Sequence, residues 1–170
     1  MAAVALPHDW LSWRLAGYGP AGESPLGPDL TALATDRSDA SGTGYFDPVA
    51  STYDRELLIA ALGHDCVLPR VVGPAETIGT VHPSYARGSD GIRIGPGAGD
   101  NAGAALGLGM VAGDVAVSLG TSGVVSAVSD APSHDVSGLV SGFADATGRF
   151  LPLACTLNGS RVLDVVGSLL

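Results

Sequence analysis

Apolar positions along the chain fall into short runs, each closed by Gly or Pro, and the runs differ in period. In "DVAVSLGTSGVVSAVS", Asp114 to Ser129, apolar side chains alternate with small or polar ones on both sides of Gly120–Gly123. A period of two around a short Gly-bounded link predicts two strands joined as a β-hairpin. "YDRELLIAALG" has helical spacing instead. Ser51 or Thr52 stands where a cap is needed, Asp54 and Glu56 fall in the first turn, and Gly63 ends the run. "LPHDWLSWRLAG" predicts another short helix, with Pro7 in the first turn and Gly17 as a left-handed stop. Trp10, Leu11 and Leu15 would be its apolar face.

The remaining pattern is weaker. "GIRIGPGAG" predicts a short strand centred on Ile92 to Ile94, followed by a Gly loop. From Asp100 to about Met110 very small residues form a helix. Gly103, Gly107 and Gly109 weaken it and leave room for another backbone to approach. "GRFLPLACTLNGS" reads as a strand. "SRVLDVVGSLL" reads as a helix that reaches Leu169 and Leu170 without a cap. The stretch Tyr18 to Asp29 is a Gly- and Pro-rich surface loop, and Pro69, Pro74 and Pro83 limit regular structure between His64 and Arg87. The chain opens just before one helix and stops inside an apolar one, the pattern expected of a segment of a longer protein.

Composition supports a packed core. Hydrophobic residues make up 46% of the 170, and the mean hydropathy of +0.33 argues against disorder. Aromatics reach only 5%, so Val, Leu, Ile and Ala must fill that core. A net charge of −9 excludes a basic surface for nucleic acid or an anionic membrane. Cys66 and Cys155 lie far apart with no metal-ligand spacing; their count allows a disulfide, and buried free thiols in a reducing cytosol are the expectation. The start "MAAVALPHDW" lacks the basic residues of a signal peptide, and the uncharged run from Ala102 to Gly113 is too short to span a bilayer. A soluble cytoplasmic protein is the expectation.

Among nucleotide motifs, Gly97, Gly99 and Ala102 satisfy a loose G-x-G-x-x-A spacing. Asp100 would set a negative charge beside the pyrophosphate, and the acid expected at the end of the next strand is missing. The sequence holds no P-loop, and Val124 breaks the serine-hydrolase elbow in "GTSGV". The pair "DN", Asp100 and Asn101, and the turn "GTSG" carry more. Backbone amides from Gly120 to Gly123, with the Thr121 and Ser122 hydroxyls, suit phosphate oxygens. A carboxylate at a helix N-terminus is held as the anion and can take a proton from an alcohol during phosphoryl transfer. Asn101 offers a donor and an acceptor to a sugar hydroxyl. Taken singly, Asp100 reads as a helix cap and the turn as an ordinary hairpin link. A non-catalytic α/β module that binds a sugar or a partner is therefore the alternative.

"GAGDNAGAALGLGMVAGDVAVSLGTSGVV" resembles the central signature of the FGGY carbohydrate kinases, which have the actin-like ATPase, ribonuclease H-like α/β fold. "TDRSDASGTGYFD" is similar to the family's Thr-Asp-x-Ser-x-Ala-Ser-x-Thr segment, and the likeness runs from Leu6 to about Asp164. Within the family, the Asp-Asn pair is most similar to members that phosphorylate D-xylulose; glycerol kinases carry a different residue after the aspartate. The resemblance implies that Asp100 is the catalytic base and that Asn101 binds sugar. It implies that Gly120, Thr121, Ser122 and Gly123 line the ATP phosphate site. It divides the chain into residues 1–110, the end of the sugar-binding lobe, and 111–170, the start of the second lobe. ATP and Mg²⁺ are the implied co-substrate and cofactor, with the metal ligand outside this sequence. An N-terminal Asp-x-Gly-Thr hairpin, an upstream sugar-contacting His and a later Gly-rich adenosine motif complete such a kinase, and none stands here. The 170 residues alone are expected to be inactive. Asp36 and Ser38 are read as turn-pinning residues. His8, His64, His82 and His134 show no ligand spacing, Trp10 and Trp13 are packing residues, and Asp29, Asp39, Asp90 and Asp145 are solvated loop acids.

Overall fold

The computed structural model describes residues 2–88 and 90–169. The chain divides into two compact units, Met1–Gly99 and Asp100–Leu170. This division falls before the expected lobe boundary at 110 and places the helix that follows Gly99 with the second unit. There Ala102 and Ala105 pack into one buried cluster with Val128 and Leu151.

The first unit opens with α1 (Pro7–Leu15). Pro7 occupies the first helical turn, where its missing N–H has no role, and the Asp9 carboxylate reaches back to the Leu6 amide at 2.8 Å. The expected apolar face is corrected by the structure. Trp10 and Leu11 are more than half exposed, while Trp13 and Asp9 are buried. The Trp13 indole N–H donates to the Asp29 carbonyl at 2.7 Å, which gives this large side chain a satisfied interior place. β1 (Ala34–Asp36) leads into the short α2 (Arg37–Ala40). β2 (Phe46–Asp47) and β3 (Thr52–Tyr53) form a hairpin, and α3 (Arg55–Leu62) follows. Asp54 caps α3 by accepting from the Leu57 amide at 3.0 Å, not Ser51 or Thr52. Thr52 is held in β3, and Ser51 has a left-handed φ of 53°. β4 (Arg70–Val72) pairs in parallel with β1, and β5 (Gly79–Thr80) pairs with β6 (Arg93–Ile94). Leu33, Ala34, Leu58 and Val72 lie in the interior of this unit.

The second unit begins with α4 (Asp100–Gly107) and continues into an antiparallel sheet. Its strands are β7 (Val115–Leu119), β8 (Gly123–Ala127), β9 (Ser141–Ala144) and β10 (Phe150–Thr156), in the order β7-β8-β10-β9. The expected hairpin forms, but Leu119 opposes Gly123, so it closes around three residues and Gly123 already belongs to β8. α5 (Ser160–Leu169) ends the described chain; Leu170, on which the expected helix also falls, lies outside the described residues. Val115, Val117, Leu119 and Val125 leave one sheet face apolar and exposed, as do Leu163 and Val165 on α5. Among the described residues, no other backbone approaches α4 at Gly103 or Gly107, where an added Cβ would meet open space. The thiols are free but not buried: Cys66 is half-buried and Cys155 exposed. Asp145 is buried rather than solvated, because it accepts from the Thr147 and Arg149 amides at 2.9 and 2.6 Å in the turn before β10. No helix among the described residues is long and apolar enough to cross a membrane.

Candidate functional site

Asp100 is the first residue of α4 and is exposed. Its Oδ1 accepts from the Asn101 amide at 2.7 Å and from the Asn101 side-chain N–H at 3.0 Å. The two side chains therefore hold each other at the positive end of the helix, where an anionic carboxylate is favoured. Asn101 lines a cavity of about 280 Å³ between α4 and the β7–β8 hairpin, with Ala104, Ala105, Ala116, Ser118 and Ser126. Neither Asp100 nor the Gly120–Gly123 turn is part of that lining. The small α4 residues that the sequence singles out thus make room for a cavity, with Asn101 and two serine hydroxyls as its polar groups.

The turn has a defined hydrogen-bond frame. The Gly120 amide donates to the Ser122 carbonyl at 2.9 Å. The Gly120 carbonyl accepts from both the amide and the hydroxyl of Ser160, each at 2.8 Å, and the Thr121 carbonyl accepts from the Gly159 amide at 3.0 Å. Among the described residues, the amides and hydroxyls of Thr121 and Ser122 donate to no protein acceptor. Gly123 is buried, and a Cβ there would lie 3.0 Å from the Thr156 methyl across the sheet. Donors without carboxylates fit phosphate oxygens.

In the first unit, the structure gathers side chains that sequence spacing does not reveal. Asp36 caps α2 through Oδ2, which accepts from the Ser38 amide at 2.6 Å, the Asp39 amide at 3.2 Å and the Ser38 hydroxyl. Ser38 Oγ in turn accepts from the Gly99 amide at 2.9 Å. Asp36 and Ser38 do pin a turn, and the pin reaches the Gly loop that precedes Asp100. His8 sits among three carboxylates: Nε2 lies 3.1 Å from Asp9 and 3.5 Å from Asp36, and Nδ1 lies 2.8 Å from Asp39. Burial pushes the Asp9 carboxyl above its ordinary value, partly offset by the Leu6 amide. His8, Asp36 and Asp39 come close enough to suggest a metal site. One ligand atom from each of the three lies within 4.8 Å of the others. Only the fold reveals this cluster, since α1 and α2 bring it together across about thirty residues of sequence.

A model of the N-terminal domain of the FGGY family of carbohydrate kinases matches residues 1–107. The chain belongs to this family, and its mixed α/β structure is part of the actin-like ATPase fold. It is 48% identical over 170 residues to a xylulose kinase of Streptomyces rubiginosus and 46% identical over 169 residues to that of Streptomyces coelicolor. Each alignment covers 99% of this chain and 32% of the relative, so the chain spans about a third of the length of the curated relatives it matches. The crystal structure of xylulose kinase from Bifidobacterium adolescentis superposes with a TM-score of 0.87 at 52% identity, covering 97% of this chain and 35% of that one.

Proposed function

We propose that the chain is the central part of a kinase that transfers the γ-phosphoryl group of ATP to a hydroxyl of D-xylulose, giving xylulose 5-phosphate and ADP. The likeness to xylulose kinases along nearly the whole chain carries this reading. Asp100 is the general base that takes the proton from the attacking hydroxyl. The Asn101 contacts fix the orientation of its carboxylate. Asn101 binds a sugar hydroxyl from the wall of the cavity. Thr121 and Ser122, between Gly120 and Gly123, present unused amides and hydroxyls to phosphate oxygens. Mg²⁺, held by residues beyond this sequence and by the phosphates, would neutralise charge on the phosphates as phosphoryl transfer proceeds.

Residues 1–110 belong to the sugar-binding lobe in this reading, and residues 111–170 open the second lobe; the family N-terminal match, ending at 107, supports that boundary. The reaction takes place in the cytoplasm, and the 170 residues alone turn over no sugar. The test is ADP release by the full-length protein with MgATP and a panel of D-xylulose, D-ribulose, glycerol and gluconate. D-xylulose is expected to give the highest kcat/KM. A preference for glycerol or gluconate, or ADP release that no sugar stimulates, would overturn the assignment.

A further inference from the structure

The hairpin tip between β7 and β8 rests on two residues forty positions further along the chain. Ser160, the first residue of α5, meets the Gly120 carbonyl with both its amide and its hydroxyl at 2.8 Å. Gly159 donates its amide to the Thr121 carbonyl at 3.0 Å. The approach is close. A Cβ on Gly159 would stand 2.5 Å from the Gly120 oxygen and 2.6 Å from the Ser122 carbonyl carbon and oxygen. Real Cβ atoms do not make such contacts, and backbone atoms cannot swing aside as a flexible side chain can. Gly159 does not have the positive φ that favours glycine, so the demand for glycine is purely steric.

The direction of these bonds gives them a role. In a trans peptide the C=O and the following N–H point to opposite sides, and no described peptide bond is cis. Drawing the Gly120 and Thr121 carbonyls toward Gly159 and Ser160 therefore turns the Thr121 and Ser122 N–H groups away from α5. Those are the amides with no internal acceptor among the described residues. Two successive N–H groups held on one side form the kind of concavity that binds anionic oxygens.

We propose that Gly159 and Ser160 are positioning residues for the phosphoryl donor: they lock two peptide planes of the Gly120–Gly123 turn so that its amides meet phosphate oxygens without reorganisation. The proposal rests on reading that turn as the ATP phosphate site. Preorganised amides act on the transferring group and not on the sugar, so the expected signature is selective for ATP.

The test measures steady-state kinetics for both substrates, with thermal melting, in the full-length protein carrying Ser160→Ala, Ser160→Thr or Gly159→Ala. A Thr121→Ala/Ser122→Ala double variant probes the turn itself. Ser160→Ala is expected to lower kcat/KM for ATP roughly tenfold, the scale of one lost hydrogen bond, with the KM for sugar unchanged. Ser160→Thr keeps the hydroxyl and should restore it. Gly159→Ala should lower kcat/KM for ATP further; if it fails to fold, the Ser160 pair still decides. Wild-type ATP kinetics in both Ser160→Ala and Gly159→Ala, alongside a defective double variant, would overturn the positioning role and leave the turn reading intact. Unchanged ATP kinetics in every variant would overturn both. An equal loss toward ATP and sugar, accompanied by a fall in melting temperature and unrelieved in Ser160→Thr, would show general stabilisation and overturn the proposal.

Discussion

Asp100 Oδ1 and the side-chain nitrogen of Asn101 lie 3.0 Å apart, and the same oxygen takes the Asn101 amide at 2.7 Å. Two adjacent residues with separate proposed tasks, proton abstraction and sugar binding, are thus joined by a direct contact. Asn101→Ala removes the side-chain donor and leaves the backbone one. The net worth of a hydrogen bond is about 0.5–1.5 kcal/mol, so the KM for sugar in the full-length protein should rise several-fold, with a smaller change in kcat. Substrate-saturation kinetics check this. A loss confined to kcat would instead place Asn101 in service of Asp100 alone.

Gly97 has a φ of +89°, and an added Cβ would fall 2.5 Å from His8 Cδ2 and 2.7 Å from Nε2. Backbone strain and the displaced imidazole both oppose Gly97→Ala. Together they should destabilise the protein by about 1–3 kcal/mol. Urea unfolding measures it, and a change under 0.5 kcal/mol would show that the imidazole yields without cost.

Two aspartates should pull stability in opposite directions with pH. The Ser137 hydroxyl and amide and the Val140 and Leu139 amides hold the Asp135 carboxyl down at about 2. Its folded pKa is depressed, so its contribution is present above the ordinary value of about 3.9 and is lost as pH falls through about 2. Burial raises Asp9 instead. Its contribution is full below the ordinary value and is lost as pH rises through the raised folded pKa. Unfolding midpoints of wild type, Asp135→Ala and Asp9→Asn from pH 2 to 7 test both signs. The deficit of Asp135→Ala should shrink toward pH 2. Asp9→Asn should gain on wild type as pH rises. A pH-independent difference for either variant would contradict the environment described for that carboxyl.

The sequence is most legible where a pattern is local. The Val alternation around Gly120–Gly123, the Gly63 stop and the Gly97–Gly99 loop into α4 all follow from residues within a few positions of one another. The misses share a cause: a tertiary contact overrules the local signal. β1 is three fully buried residues with no alternation, paired with a β4 more than thirty residues away. Trp13 is chosen over Trp10 and Leu11 because its indole reaches the Asp29 carbonyl. Asp54 takes the cap of α3 because Thr52 is already committed to a hairpin. Of the candidate site, "DN" and "GTSG" stand out in the sequence, whereas the Gly159–Ser160 support and the His8 cluster arise only from folding.

The central claim is that Asp100 accepts the proton of the attacking hydroxyl, and Asp100→Asn in the full-length protein tests it most directly. Asparagine keeps the size and an oxygen acceptor and caps helices about as well as aspartate, so the melting temperature should barely move. Losing a general base typically lowers the rate by ~10²–10⁴-fold, so D-xylulose-dependent ADP release should fall by that factor with both substrates saturating. Turnover within a few-fold of wild type would contradict the account and leave Asp100 as a helix cap.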